Sequence, residues 1–138
     1  KGLPVLEALC DRLRVPNVFK SLAMHVMQYH THCHKVTELR PSTLVDLLNT
    51  LGAFKQHNQL PEFVLACEAD AKGRTGLEHK PYPQAAYLLT AAKVAASVDT
   101  SSLMDGKLQG AQIGEAIRLL RIQAITSMIA AKQSNIIN

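Results

Sequence analysis

Apolar residues recur at helical spacing along the whole chain. Leu3, Leu6, Cys10 and Leu13 stand at i, i+3, i+7 and i+10, one face of a first helix. Pro16 cannot continue that helix's hydrogen-bond ladder, and Asn17 can cap the next helix. Val18, Leu22, Val26 and Tyr29 mark this second helix, running to about Lys35. Pro41 suits the first turn of a third, whose Leu44, Leu47, Leu48 and Leu51 form a clean stripe, with Gly52 as its left-handed C-cap. Pro61 opens a fourth helix with Val64, Cys67 and Ala71 on one side, and Gly73 and Gly76 end it. Pro81-Tyr82-Pro83 reads as an extended connection into an alanine-rich fifth helix over 83–98. Residues 99–110 read as a loop. The last helix spans about 111–133, with Ile113, Ile117, Leu120, Ala124 and Met128 facing inward and 135–138 expected to fray. No segment alternates over a strand's length with β-branched enrichment. The pattern predicts an all-α fold, an irregular bundle of about six helices joined by short loops.

Composition narrows the class. A hydrophobic fraction of 47% with 19% charged residues over 138 positions is that of a globular domain, long enough to bury a core without staples. No apolar run approaches the roughly 18 residues of a membrane span, and no secretory signal pattern is visible. The chain opens Lys1-Gly2-Leu3 without an initiator methionine and is read as a piece trimmed from a longer protein. Cys10, Cys33 and Cys67 are odd in number and form no C-x-x-C pair, which fits buried thiols in a reduced, cytoplasmic setting.

Charge is uneven. Residues 1–70 hold seven Lys/Arg and seven Asp/Glu, whereas residues 71–138 hold eight and four, so the whole net charge of +4 lies in the second half. A polyanion is the partner such an excess attracts. Six scattered aromatics supply no stacking platform for single-stranded nucleic acid.

Three clusters carry candidate chemistry. His25, His30, His32 and His34 lie within ten residues around Cys33. His30 and His34, at i, i+4, share a helix face and could ligate a divalent metal, but no third ligand is local; the plain alternative is a polar helix end. In Cys67-Glu68-Ala69-Asp70-Ala71-Lys72-Gly73-Arg74-Thr75-Gly76, Glu68 and Lys72 can pair at i, i+4, and Lys72 and Arg74 suit a helix C-terminus. Gly73 and Gly76 would let the backbone turn beside Arg74. Spacing favours an internal Arg74–Asp70 pair over a phosphate contact. Gly110 to Glu115 opens the last helix with free N–H groups, and Arg118 and Arg121, at i, i+3, could contact a nucleic-acid backbone. Arg118 could equally pair with Glu115. No G-x-S-x-G, no Cys/His nucleophile with an orienting partner and no two-metal carboxylate pattern occurs.

Glu68-Ala69-Asp70 followed by Gly73-Arg74 and Gly76 resembles the E-A-D-x-[KR]-G-R-x-G segment of bacterial CCA-adding enzymes, the tRNA nucleotidyltransferases. Arg12 to Asn17 resembles the turn upstream of it, Tyr29-His30 to His34 the helix end after that turn, Pro81-Tyr82-Pro83-Gln84 the later connection, and Gly110 to Arg121 the start of the terminal helix. The order holds from about Gly2 to Ala131.

The resemblance implies a family with a Mg²⁺-dependent nucleotidyltransferase head, a neck selecting CTP and ATP, and a helical body and tail that hold tRNA. Head and neck motifs have no match here. A gammaproteobacterial-like subgroup also carries an HD domain that uses a divalent metal such as Ni²⁺. It has phosphatase, 2′-nucleotidase and 2′,3′-cyclic phosphodiesterase activity. On this likeness residues 1–40 are the end of an HD domain and 41–138 the tRNA-positioning body and tail. The fragment itself is expected to be catalytically inactive. His30 and His34 match histidines of the HD region, but the His-Asp of relatives at the positions of His30 and Thr31 is His-Thr here. The resemblance points to Lys72, Arg74, Lys107, Arg118 and Arg121 as tRNA-backbone contacts, with Asp70, Gly73 and Gly76 shaping a turn. Two other readings compete: an HD hydrolase fragment completed by missing chain, and a helical interaction module without an RNA role. Homodimerisation through apolar faces is a further expectation.

Overall fold

The computed structural model describes residues 2–137, with side chains for residues 2–135. Six helices succeed one another: α1 (Leu3–Arg12), α2 (Asn17–His34), α3 (Pro41–Thr50), α4 (Leu60–Lys72), α5 (Pro83–Ala96) and α6 (Gly110–Ile137). Short 3₁₀ turns at Val36–Glu38 and Ser101–Met104 interrupt the connections. No strand occurs among the described residues, so the all-α expectation holds. No described helix is long and apolar enough to cross a membrane.

Proline sets four of the six helix starts. α1, α3, α4 and α5 each carry one at their first or second position, where its fixed φ helps and its missing N–H costs nothing. α3 ends as its sequence predicts. Gly52 is left-handed at φ 72°, its N–H donates to Asn49 O at 3.0 Å, and the Ala53 N–H donates to Leu48 O at 3.0 Å. α1 closes by the same two bonds, Arg14 N–H to Asp11 O and Val15 N–H to Cys10 O. There Arg14 takes the left-handed position at φ 55°, a backbone state that glycine adopts without steric cost. α6 starts with the Gln112 side chain accepting the Gln109 N–H at 3.0 Å, one half of a capping box.

The core lies among α3, α4, α5 and α6. Leu44, Val45, Leu47 and Leu48 of α3 and Leu60, Phe63, Val64 and Cys67 of α4 belong to one buried cluster. Leu88, Ala91, Ala92 and Ala95 form a small-residue stripe on α5 that lets α6 approach closely. Cys33 and Val36 join this core from the other side of residue 40. Among the described residues no polar or charged side chain is fully buried. All three cysteines are free and buried, as expected of small hydrophobes.

Several expectations need correction. Leu13 and Val18 sit at helix ends beside the Pro16 turn and are 62% and 60% exposed, not inward-facing. α2 stops at His34, α4 begins one residue before Pro61, and α5 ends at Ala96. The 99–110 loop contains a 3₁₀ turn, started by Asp99 accepting bonds from the Ser101 N–H and hydroxyl. On α6 the fully buried residue is Ile125, flanked by Ile122, Met128 and Ile129. Ile113, Ile117, Leu120 and Ala124 are only half-buried. Apolar residues of α6 are spread over several faces among Gln112, Glu115, Arg118, Arg121, Gln123 and Lys132, so its periodicity underdetermines which face α3 and α5 select. No Gly or Pro occurs after Gly114, and the helix continues through Ile137, beyond the expected end at about 133. Lys1 and Asn138 lie outside the described residues.

Candidate functional site

The end of α2, the end of α4 and the connection into α5 are tied by one histidine. His34 Nε2 lies 2.9 Å from Asp70 Oδ2, and its Nδ1 lies 2.8 Å from the Tyr82 hydroxyl. The Gln84 side-chain amide donates to the His34 backbone oxygen at 3.1 Å. With neutral His34 protonated on Nε2, that N–H donates to Asp70 and Nδ1 accepts the Tyr82 hydroxyl proton. The same hydroxyl also lies 3.4 Å from Cys33 Sγ, so ring and sulfur compete for one proton. The bond from His34, aided by the positive charge of Arg74, holds the Asp70 carboxyl below the usual carboxylate range. Burial, then its contact with Cys33, pushes Tyr82 up. The proximity of Cys33 and Cys67 lowers Cys33 and pushes Cys67 up.

This network floors a cleft of about 210 Å³ whose rim carries Lys72, Arg74 and Lys80, with Leu77 and Pro81 as apolar wall. Lys72 is neutralised by Glu68 at 2.9 Å, as the i, i+4 spacing predicts. Arg74 does not pair with Asp70: His34 takes that carboxylate, and the side chains of Arg74 and Lys80 make no hydrogen bond or ion pair among the described residues. The two glycines differ. Gly76 is left-handed at φ 88° with open space around it. Gly73 has helical φ, and a Cβ there would meet Ala69 O at 3.1 Å.

A second groove, between α3 and α6, holds the other two arginines. Arg118 makes a fork on Asp46, Nε to Oδ1 at 2.8 Å and the second arm to Oδ2 at 3.0 Å, and reaches Glu115 at 3.3 Å. That pairing raises the arginine and holds Asp46 low. Arg121 lies 3.7 Å over the Phe54 ring, its Nε is buried without a partner, and burial lowers its pKa. Asn49 and Gly114 complete the groove. Lys107 stands apart on the loop before α6, 3.8 Å from Asp105. The five basic residues thus fall in three places rather than on one face. Sequence reasoning found the Arg118–Glu115 and Lys72–Glu68 contacts. It missed Asp46, Phe54, Lys80 and the His34–Asp70–Tyr82 link, which join elements far apart in sequence.

The histidines do not form a ready ligand set. His30 Nδ1 donates to Val26 O at 2.9 Å, and both His34 nitrogens are engaged. The two rings meet edge to face, 5.7 Å between centroids. Among the described residues no three His, Cys, Asp or Glu side chains converge as a metal site. Burial and the nearby Lys55 charge hold His25 below the usual imidazole value.

No family model and no solved structure matches the chain. Curated proteins do. The chain is 54% identical over 132 residues to the multifunctional CCA protein of Methylococcus capsulatus, a match covering 95% of this chain and 31% of that protein. It is 46% identical over 128 residues to that of Alkalilimnicola ehrlichii, covering 93% and 31%. It is 43% identical over 129 residues to that of Nitrosococcus oceani, covering 94% and 32%. The chain therefore spans about a third of the length of these relatives. Across nearly all of its own length it is related to the multifunctional CCA proteins, as the E-A-D segment and its neighbouring motifs indicate.

Proposed function

We propose that this chain is the helical C-terminal part of a CCA-adding tRNA nucleotidyltransferase, and that its work is to hold tRNA. Similarity to multifunctional CCA proteins over nearly the whole chain is the observation that carries the reading. The charge excess of residues 71–138 supports it, because duplex RNA is held chiefly through its phosphates and shape. The nucleotidyltransferase head, its Mg²⁺, and the sites for CTP and ATP belong on this reading to the rest of the protein. So do the HD-type phosphatase, 2′-nucleotidase and cyclic phosphodiesterase activities and their divalent metal, with residues 1–40 as the end of the HD domain. The setting is the cytoplasm. Lys72, Arg74, Lys107, Arg118 and Arg121 are the proposed backbone contacts. Arg118 and Arg121, held by Asp46 and Phe54, would present fixed charge, and Arg74 and Lys107 mobile charge.

The test uses the intact protein carrying Lys107→Gln with Arg118→Gln. The expected outcome is several-fold weaker tRNA binding, a salt dependence shallower by one to two phosphate contacts, and a raised KM for tRNA with kcat retained. Unchanged tRNA affinity would remove both residues from the interface. Absence of any CCA addition by the intact wild-type protein would overturn the reading itself.

A further inference from the structure

The cleft between the α4 exit and the α5 entry combines features that a structural turn does not need. Arg74 and Lys80 project around it with no partner among the described residues. The first turn of the 14-residue α5 opens beside it, and no side chain caps its N-terminus at Tyr82, which leaves the positive end of the helix dipole near the cleft. On the opposite wall Asp70 spends only one oxygen, Oδ2, on His34; Oδ1 is unused. Leu77 and Pro81 add apolar surface. Both His34 nitrogens are committed and Lys72 is paired. The geometry is that of a binding site.

The charges select the ligand. A bare phosphate would be drawn by Arg74 and Lys80 but repelled by Asp70. A hydroxyl carried beside a phosphate removes the conflict, because it donates to the free carboxylate oxygen while the phosphate stays with the cations. A volume of about 210 Å³ admits a sugar and its phosphate.

We propose that this cleft seats one ribose-phosphate unit of an RNA strand, its phosphate held by Arg74 and Lys80 and its 2′-hydroxyl donating to Asp70. The inference rests on the reading that the chain handles tRNA, and it makes Asp70 the residue that distinguishes RNA from DNA.

Fluorescence anisotropy on the full chain tests it, with labelled hexauridylate, its deoxy counterpart, and tRNA as probes. Wild type is expected to prefer the ribo-hexamer over the deoxy-hexamer. Arg74→Gln with Lys80→Gln should weaken both hexamers about tenfold and flatten the salt dependence. Asp70→Asn keeps an acceptor for the His34 N–H but replaces the free oxygen by a donor. It should erase the ribose preference while the chain stays folded, with the melting temperature lowered only by the loss of the charged bond to His34. Hexamer binding insensitive to the double substitution, or equal binding of the two hexamers by wild type, overturns the inference. If tRNA binds but ignores the double substitution, the tRNA role stands and the cleft assignment falls. If the ribo-hexamer binds through the cleft while tRNA does not bind, the cleft stands and the tRNA role falls. If neither binds, both fall.

Discussion

The two arginine-bearing clefts of this molecule are built in opposite ways. Between α3 and α6, Arg118 is clamped by Asp46 and Glu115, and Arg121 is laid on Phe54. At the α4–α5 cleft, Arg74 and Lys80 have no partner among the described residues, and the fixed groups are His34, Asp70 and Tyr82 beneath them. The first arrangement spends positive charge on joining helices; the second ties the backbone with neutral and acidic groups and leaves the cations to solvent. Counting Lys and Arg along the sequence cannot separate these cases. What separates them is which carboxylates and rings the fold brings within reach.

The largest effect should come from undoing the first arrangement. Phe54 is half-buried against the core and carries Arg121 on its outer face. Phe54→Ala removes both, at a cost of about 2–3 kcal/mol, read as a lowered midpoint in urea. Arg74→Ala, by contrast, should leave that midpoint where it is. Equal losses in the two variants would abolish the distinction between the clefts.

A smaller loss is expected at the floor of the second cleft. His34→Ala leaves Asp70 and the Tyr82 hydroxyl without their shared partner, at about 1–3 kcal/mol. The loss should depend on pH. Asp70 is held below the ordinary carboxylate value, first by its bond from His34. Its contribution is therefore full above the unfolded-chain value of about 3.9 and disappears as pH falls through it toward the folded value. Thermal melts between about pH 5 and pH 2.5 should show the gap between wild type and variant narrowing on acidification. A constant gap would assign the effect to packing alone.

Much of the scaffold was legible because local chemistry dictates it. Pro41 with the 44/47/48/51 stripe and Gly52 specify α3 within residues 41–52, and the structure agrees with them. α6 was legible in existence but not in register. With Ile, Leu and Ala on several sides, which face turns inward is decided by α3 and α5, and the fully buried residue is Ile125. The candidate clefts were half legible. Glu68–Lys72 and Glu115–Arg118 lie within one helical turn and are set by spacing. Asp70 has Lys72 and Arg74 as its nearest cations in sequence, yet His34, 36 residues away, takes it. Asp46 and Arg118 are 72 residues apart, and neither carries a local sign of the other.

The finest test asks whether the clamp on Arg118 also limits what that arginine can hold. Asp46 is exposed on one side, so the fork sits in water and its loss should change the melting temperature little. Asp46→Asn removes a negative charge from the groove and loosens one side of the fork, leaving Glu115 as the remaining anionic partner. If an RNA backbone passes over the α3–α6 groove, the variant should bind tRNA two- to threefold more tightly at low salt, with the gain vanishing as salt rises above roughly 0.15 M. The rationale is electrostatic: a phosphate approaching Arg118 must compete with a carboxylate already seated on it, and an amide competes poorly. Affinity unchanged by Asp46→Asn but lowered by Arg74→Gln would show that α3–α6 joins helices and that the α4–α5 cleft alone meets the RNA.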